Sequence, residues 1–179
     1  MHQMNFEKYT VRLLEINDLE VYFKLVDRNR KRLEDFFTKT VSRTKTVEDT
    51  ALFLNELIKK SQEKTYYPFV VVDIEVNAPV GFIDIKNIDW AIPKAELGCF
   101  MDEKYSGQGI TTKVFSLFVD YCFNHFGFEK LCLRTHHSNK QARQLAEKCG
   151  FEVEGTIRKD HKTTSGEIVD LMYYGKIRW

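Results

Sequence analysis

The chain has 179 residues, 43% of them hydrophobic, enough for one compact domain with a real core and barely enough for two. Its 27 Lys plus Arg nearly balance 26 Asp plus Glu, so net charge lends no support to a broad nucleic-acid footprint. No run approaches the ~18 apolar residues of a membrane span, and the opening MHQMNFEKYTVRLLE lacks the apolar core of a secretion signal.

YTVRLLE (9–15) predicts a first strand. Asn17 or Asp18 then caps a helix to about Asp27, a second helical piece covers about 28–38, and TVSRTK (40–45) is a polar connector. Thr46 with Asp49 makes a capping pattern, and Val47, Ala51, Leu54 and Ile58 set a helix over 47–62. YPFVVVDIEV (67–76) and VGFIDIK (80–86) predict a hairpin turning at Asn77 to Pro79. NIDWAIPK reads as a loop and AELGCFMD (95–102) as a strand. After YSGQGITTK, residues Val114, Phe118, Tyr121, Cys122 and Phe126 mark the buried face of a helix. KLCLRTH (130–136) is a strand, and Ser138 with Gln141 caps a helix carrying Ala142, Leu145, Ala146 and Cys149 on its apolar stripe. Gly150 ends it, and two strands over 151–161 and 167–177 turn at Thr164 to Gly166. The expectation is a single α/β domain over 1–179.

The cysteines, Cys99, Cys122, Cys132 and Cys149, have no C-x-x-C spacing and fall in apolar-periodic segments. They read as reduced, buried thiols of a cytoplasmic protein, with no metal site. Within YSGQGITTK, Gly107 and Gly109 stand between a strand and a helix. The first N–H groups of a helix have no internal partner and carry the positive end of its dipole, so an anion is welcome there. Lys104 and Lys113 add local positive charge. The stretch fits neither G-x-x-x-x-G-K-[ST] nor G-x-G-x-x-G, where the last position is Thr112; alone it reads equally well as a tight turn.

The runs AELGCFMDEKYSGQGITTKV and NKQARQLAEKCGFEVEG resemble the GNAT superfamily of acyl-CoA-dependent N-acetyltransferases. They are most similar to its ribosomal-protein-serine/alanine N-acetyltransferase group, with AE-[IL]-G before the loop, G-x-G in it and N-x-x-S-x-x-x-x-x-[KR]-x-G-F after it. The match is good over 80–178 and extends only to layout in the first 65 residues. It implies a mostly antiparallel mixed sheet of about seven strands flanked by helices. It also implies acetyl-CoA as cosubstrate, with no metal, and direct transfer to an amine. The acceptor is the N-terminal α-amine of a protein, a ribosomal one by analogy, with a polyamine, an aminoglycoside or another small amine as the alternative. A non-catalytic acyl-CoA-binding module is the reading from another class. The group carries the expectation of a homodimer, which no pattern here addresses; neither nucleic acid nor membrane is an expected partner.

By the same resemblance, the backbone of Phe100 and Met101 lines the pantetheine arm, and an N–H near Cys99 or Phe100 polarises the thioester carbonyl. The N–H groups from Ser106 or Gly107 through Gln108, Gly109, Ile110, Thr111 and Thr112 cradle the pyrophosphate, and Asn139 touches the cofactor or merely starts a helix. Lys148 matches the [KR] position or is a surface charge. Glu96 is the first candidate base, with a salt-bridged strand residue as its plain alternative; His161 is the second, with an exposed hairpin histidine as its alternative. Asp170 orients substrate or pairs with Arg158. An α-amine, with a pKa of about 7.7 to 8.0, needs only a modest base, whereas a lysine amine costs about 4.6 kcal/mol to deprotonate at pH 7. Ala142 and Ala146 stand where the family has a Ser and, in many members, a Tyr that protonates the departing thiolate; neither alanine can. Cys99 replaces the aromatic after AELG, as packing first and a reactive thiol second.

Overall fold

A computed structural model describes residues 3–178; Met1, His2 and Trp179, the ends of the expected domain span, lie outside the described residues. Eight strands form one sheet in the order β1-β2-β3-β4-β5-β6-β8-β7. They are β1 Gln3–Phe6, β2 Tyr9–Leu13, β3 Tyr67–Asp73, β4 Ala78–Asp89, β5 Lys94–Met101, β6 Lys130–His136, β7 Glu152–Lys162 and β8 Ile168–Ile177. Every pairing is antiparallel except β5 with β6. The strand beyond the expected seven is β1, a short edge strand that turns back onto β2 through Glu7 at φ 49°.

Helices α1 Leu19–Leu33, α2 Thr38–Arg43 and α3 Val47–Gln62 cover one face, and α4 Ile110–Tyr121 and α5 Lys140–Lys148 cover the other. Strand side chains alternate between the two cores. Phe82 and Phe100 join Tyr22, Leu25 and Leu54 on the α1–α3 side, whereas Ile83, Leu97 and Met101 join Val114, Phe118 and Ala146 on the α4–α5 side.

Several local expectations shift. α1 is continuous where two pieces were expected, because its charged run from Arg28 to Arg32 finds partners on β5 and its following turn. The expected connector at 40–45 contains most of α2, which buries Thr40 and Val41 and has no side-chain cap, so packing rather than local signal forms it. Asp18 precedes α1 but makes no capping bond; its carboxylate takes two hydrogen bonds from Arg12, at 2.7 and 2.8 Å, and one from the Glu15 N–H. In α3 the Thr46 cap forms as expected, yet the buried stripe is Thr50, Phe53, Leu54 and Leu57, turned from the expected one to seat the larger Phe53. The α5 cap is Asn139, not Ser138, because the Ser138 hydroxyl is engaged by the His136 ring at 2.6 Å. β4 runs through Asp89, into the segment read as a loop. α4 leaves through a wide turn, Cys122–Phe126, that Gly127 ends in the left-handed region.

Candidate active site

β5 and β6 are paired only from Lys94–Lys130 to Glu96–Cys132, although both strands continue. Beyond Glu96 they part and leave a fork in the sheet. The Asp102 N–H donates to Val80 O at 2.7 Å, which makes Val80–Asp102 a hydrogen-bonded pair of the β4–β5 ladder. Alternation from that pair turns the backbone groups of Phe100 and Gly98 toward β4 and those of Met101, Cys99 and Leu97 toward the fork. This corrects the expectation for Phe100: its backbone is spent on β4 and its ring packs edge-on against Phe37 in the core. Cys99 takes its place at the fork. The Met101 carbonyl accepts from Arg32, leaving its N–H for the fork.

A cavity of about 610 Å³ opens at this fork. Leu97, Cys99 and Ala146 line it from the α4–α5 side, and Asp84, Glu96 and Arg134 line it from the α1–α3 side. Side chains from both faces of one sheet bound one space, so the cavity passes through the sheet between β5 and β6. Phe36 and Phe37 line it as well; the Phe37 ring also packs against Phe100, and Phe36 is exposed at the wall.

The glycine loop lies outside this cavity, at the far end of β5. Gly107 and Gly109 have φ of 75° and 74°, and a Cβ on either would meet nothing within 4 Å. The Ser106 N–H is already given to Glu103 O, so the cradle starts at Gly107. The first intrahelical donor of α4 is Lys113, to Gly109 O at 3.1 Å, so the N–H groups of Ile110, Thr111 and Thr112 have no acceptor within the helix. Gln108 folds its side chain back onto Lys104 O at 2.9 Å and contributes only its backbone. Lys113 is exposed and 3.7 Å from Glu7. These residues fit a pyrophosphate: free donors, a helix N-terminus and glycine surfaces open to close approach. Asn139 lines the cavity while its side-chain oxygen caps α5 from the Ala142 N–H at 3.1 Å; its amide group is left for a ligand. Lys148 is exposed on the last turn of α5.

Glu96 is buried, 8% exposed, and both expectations for it meet there. Its Oε2 accepts from Arg134 Nε and Asn87 Nδ2, each at 2.8 Å, while Oε1 stands 3.8 Å from Lys86 Nζ. One oxygen is thus fixed and the other faces a loose neighbour. Arg134 also donates to Asp160 at 3.0 Å. Burial alone would lower the Arg134 pKa, but the Glu96 hydrogen bond and charge raise it, so the guanidinium stays charged. Asp160 reaches this position from a bulge: between Ile157–Leu171 and His161–Val169, β7 has three residues against one on β8. Lys159 adopts φ 53° in the bulge, and its N–H is held by Asp170 at 2.8 Å. Asp170 therefore neither pairs with Arg158 nor lines the cavity.

His161 lines the cavity with Nε2 at 2.9 Å from Asp35 O. A carbonyl only accepts, so Nε2 carries the proton and Nδ1 is the basic nitrogen of the neutral ring. His136 is also at the cavity, with Nδ1 on Ser138. The Cys99 thiol is pushed up by burial first and by Asp84 second, which favours packing over reactivity. All four cysteines are free. Asn87, Arg134, Asp160 and Tyr66 were missed because each is an ordinary residue in its own segment, and only strand register brings them together. Among the described residues, no group of three His, Cys, Asp or Glu is arranged to hold a metal, and no helix is long and apolar enough to cross a membrane.

Residues 8–152 match the acetyltransferase (GNAT) domain model. The chain is 26% identical over 177 residues to the "Putative ribosomal N-acetyltransferase YdaF" of Bacillus subtilis, covering 96% of this chain and 92% of that one. The crystal structure of a ribosomal-protein-S5-alanine acetyltransferase from Vibrio fischeri superposes with a TM-score of 0.88 at 24% identity, covering 98% of this chain and 96% of that one. RimL, a ribosomal L7/L12 α-N-protein acetyltransferase solved in complex with coenzyme A, superposes with a TM-score of 0.89 at 17% identity, with 98% of each chain covered. With a forked sheet, a glycine-led helix after β5 and a family model spanning most of its length, the chain belongs to the GNAT acetyltransferases.

Proposed function

We propose that this protein transfers acetyl from acetyl-CoA directly to an amine, the N-terminal α-amine of a protein such as a ribosomal protein. The observation that carries the reading is the cavity passing through the sheet at the β5–β6 fork. Two substrates can enter it from opposite faces and meet at the strand edge. The backbone of Gly107 to Thr112 would hold the pyrophosphate, the fork-facing groups of Cys99 and Met101 the pantetheine arm, and the Asn139 amide would assist. Acetyl-CoA supplies an acyl group on a thiol leaving group. Around it, the chain's residues orient and move protons. The Cys99 N–H faces the fork as a donor to a carbonyl oxygen. Glu96, through Oε1, takes the proton from the acceptor ammonium, directly or through one water; His161 Nδ1 is the second candidate. Ala142 and Ala146 both border the cavity and provide no proton donor, so water protonates the thiolate; an ordinary free thiol, with a pKa of about 8.5, makes such a departure tolerable near pH 7 to 8.

The test is a thermal-shift series with acetyl-CoA, succinyl-CoA and free CoA, followed by thiol release against peptides with free N-termini, polyamines and aminoglycosides. Stabilisation by acetyl-CoA and CoA, with thiol release on a peptide, is expected; no stabilisation by any of the three overturns the reading. A small polyamine acceptor is the second reading, favoured by the carboxylates Asp84, Glu96 and Asp160 along one wall. The free thiols support a cytoplasmic setting.

A further inference from the structure

The cavity wall holds a carboxylate oxygen with no hydrogen bond. Asp84 is 6% exposed and lines the cavity from β4. Its Oδ2 accepts from the Tyr66 hydroxyl at 2.7 Å, while Oδ1 has no hydrogen-bond partner among the described residues. Lys86 Nζ stands 3.4 Å from Asp84 Oδ1 and 3.8 Å from Glu96 Oε1, so it lies between two carboxylates as an ion pair without hydrogen-bond alignment to either. Asp84 is directly across the ladder from Gly98, the glycine of AELG. A Cβ at Gly98 would collide with Asp84 Oδ1 and come within 2.8 Å of Lys86 Nζ. The glycine therefore keeps open a space that a carboxylate and an ammonium share at the mouth of the fork.

A buried carboxylate oxygen without a donor is costly, and a ligand that supplies one is favoured in return. The group already resting there is an ammonium, a compact charge with three donors, and it is loosely held. The row Asp84, Lys86, Glu96, Arg134 and Asp160 sets three carboxylates against two cations, which also favours a further cation. We propose that Asp84 Oδ1 and Glu96 Oε1 form the seat of the acceptor's primary ammonium group, that Lys86 holds this seat in the empty protein, and that it yields the seat when the acceptor enters. The inference rests on the reading of the cavity as an acetyl-transfer site and adds to it two positioning residues, Asp84 and Lys86.

The test is calorimetric titration of the protein, with and without CoA, by n-butylamine, spermidine and an alanine-initiated peptide. Each is compared with a probe lacking the ammonium: n-butanol, or the des-amino peptide. At least one ammonium probe is expected to bind and its neutral counterpart is not. Asp84→Asn should weaken that binding roughly 10- to 100-fold, the range of one charged hydrogen bond, with CoA binding unchanged. Lys86→Met should tighten it, because the resident competitor is gone. Equal binding of ammonium and neutral probes, wild-type affinity in Asp84→Asn, or weaker binding in Lys86→Met overturns the seat. If Asp84→Asn does not fold, the Lys86→Met arm decides. Failure of CoA to bind would instead sink the acetyl-transfer reading, while the titrations without CoA still report on the seat.

Discussion

Gly107 and Gly109 hold left-handed backbone where a side chain would meet open space, so replacing either by alanine adds strain without a clash. Each change should cost about 1 to 2 kcal/mol, seen as a fall of a few degrees in Tm. It should also weaken acetyl-CoA binding, since a methyl group then intrudes on the cradle. A drop in Tm with full retention of the acetyl-CoA-induced shift would show that the glycines serve only the turn. Glu96 is fixed through Oε2 by Arg134 and Asn87. Glu96→Gln should lower kcat roughly 100-fold or more in a thiol-release assay, the scale of general-base catalysis, and leave acetyl-CoA binding intact. If Glu96→Gln turns over normally and His161→Ala does not, the proton goes to the histidine.

α1 acts on the glycine loop from a distance. Asn29, buried near its C-terminal end, accepts from the Glu103 N–H at 3.0 Å and donates to Leu25 O and, at 3.3 Å, to Asp102. Arg28 pairs with Asp102 at 2.6 Å, and Arg32 reaches the Met101 carbonyl. The helix thus pins the end of β5 and the turn that launches YSGQG. Tyr105 ties the same turn to Asp73 on β3 at 3.1 Å. Asn29→Ala removes the acceptor of the Glu103 N–H and a donor to the buried Asp102 carboxylate, and should cost about 1 to 3 kcal/mol, read from the urea unfolding midpoint. It should also raise the KM for acetyl-CoA more than the KM for the amine, whereas a purely structural role would leave that ratio unchanged. Such a tether was invisible in the run DRNRKR, which reads as a break between helices because the residues that Arg28 and Asn29 tether, Asp102 and Glu103, lie more than 70 residues away. The β7 bulge is similar: nothing in RKDH announces that Asp160 will turn toward Arg134.

Across the whole molecule, stability at low pH follows from a few held carboxylates. The Lys60 hydrogen bond, helped by Lys39 and Arg43, takes the Glu56 carboxyl down to about 2. Burial alone would raise Asp102 and Asp73, but hydrogen bonds led by Arg28 for Asp102, and from Glu75 N–H and Tyr105 for Asp73, leave both below the usual carboxylate value. A carboxyl with a lower pKa in the folded state binds fewer protons there than in the unfolded chain. Its contribution is therefore present above the ordinary value of about 4 to 4.5 and is lost as pH falls toward about 2. Urea midpoints measured from pH about 6 down to about 3 should fall over that window, and Glu56→Gln should flatten part of the fall.

The sequence by itself determined the glycine loop ahead of α4, the order of most elements and the buried strands, because those depend on local spacing: a glycine pair before a helix, apolar residues at a strand's or a helix's own period, an AELG before and a GF after. Only the tertiary structure decided what faces the reaction. The parting of β5 from β6 is a property of two strands 30-odd residues apart, and it turns Cys99 rather than Phe100 toward the fork. The wall of Asp84, Lys86, Glu96, Arg134 and Asp160 draws on four strands whose register, including a three-against-one bulge, no single segment encodes. A site built from cross-strand neighbours has no sequence period of its own, which is why the loop proposed for the acetyl donor could be read along the chain and the seat proposed for the acceptor could not.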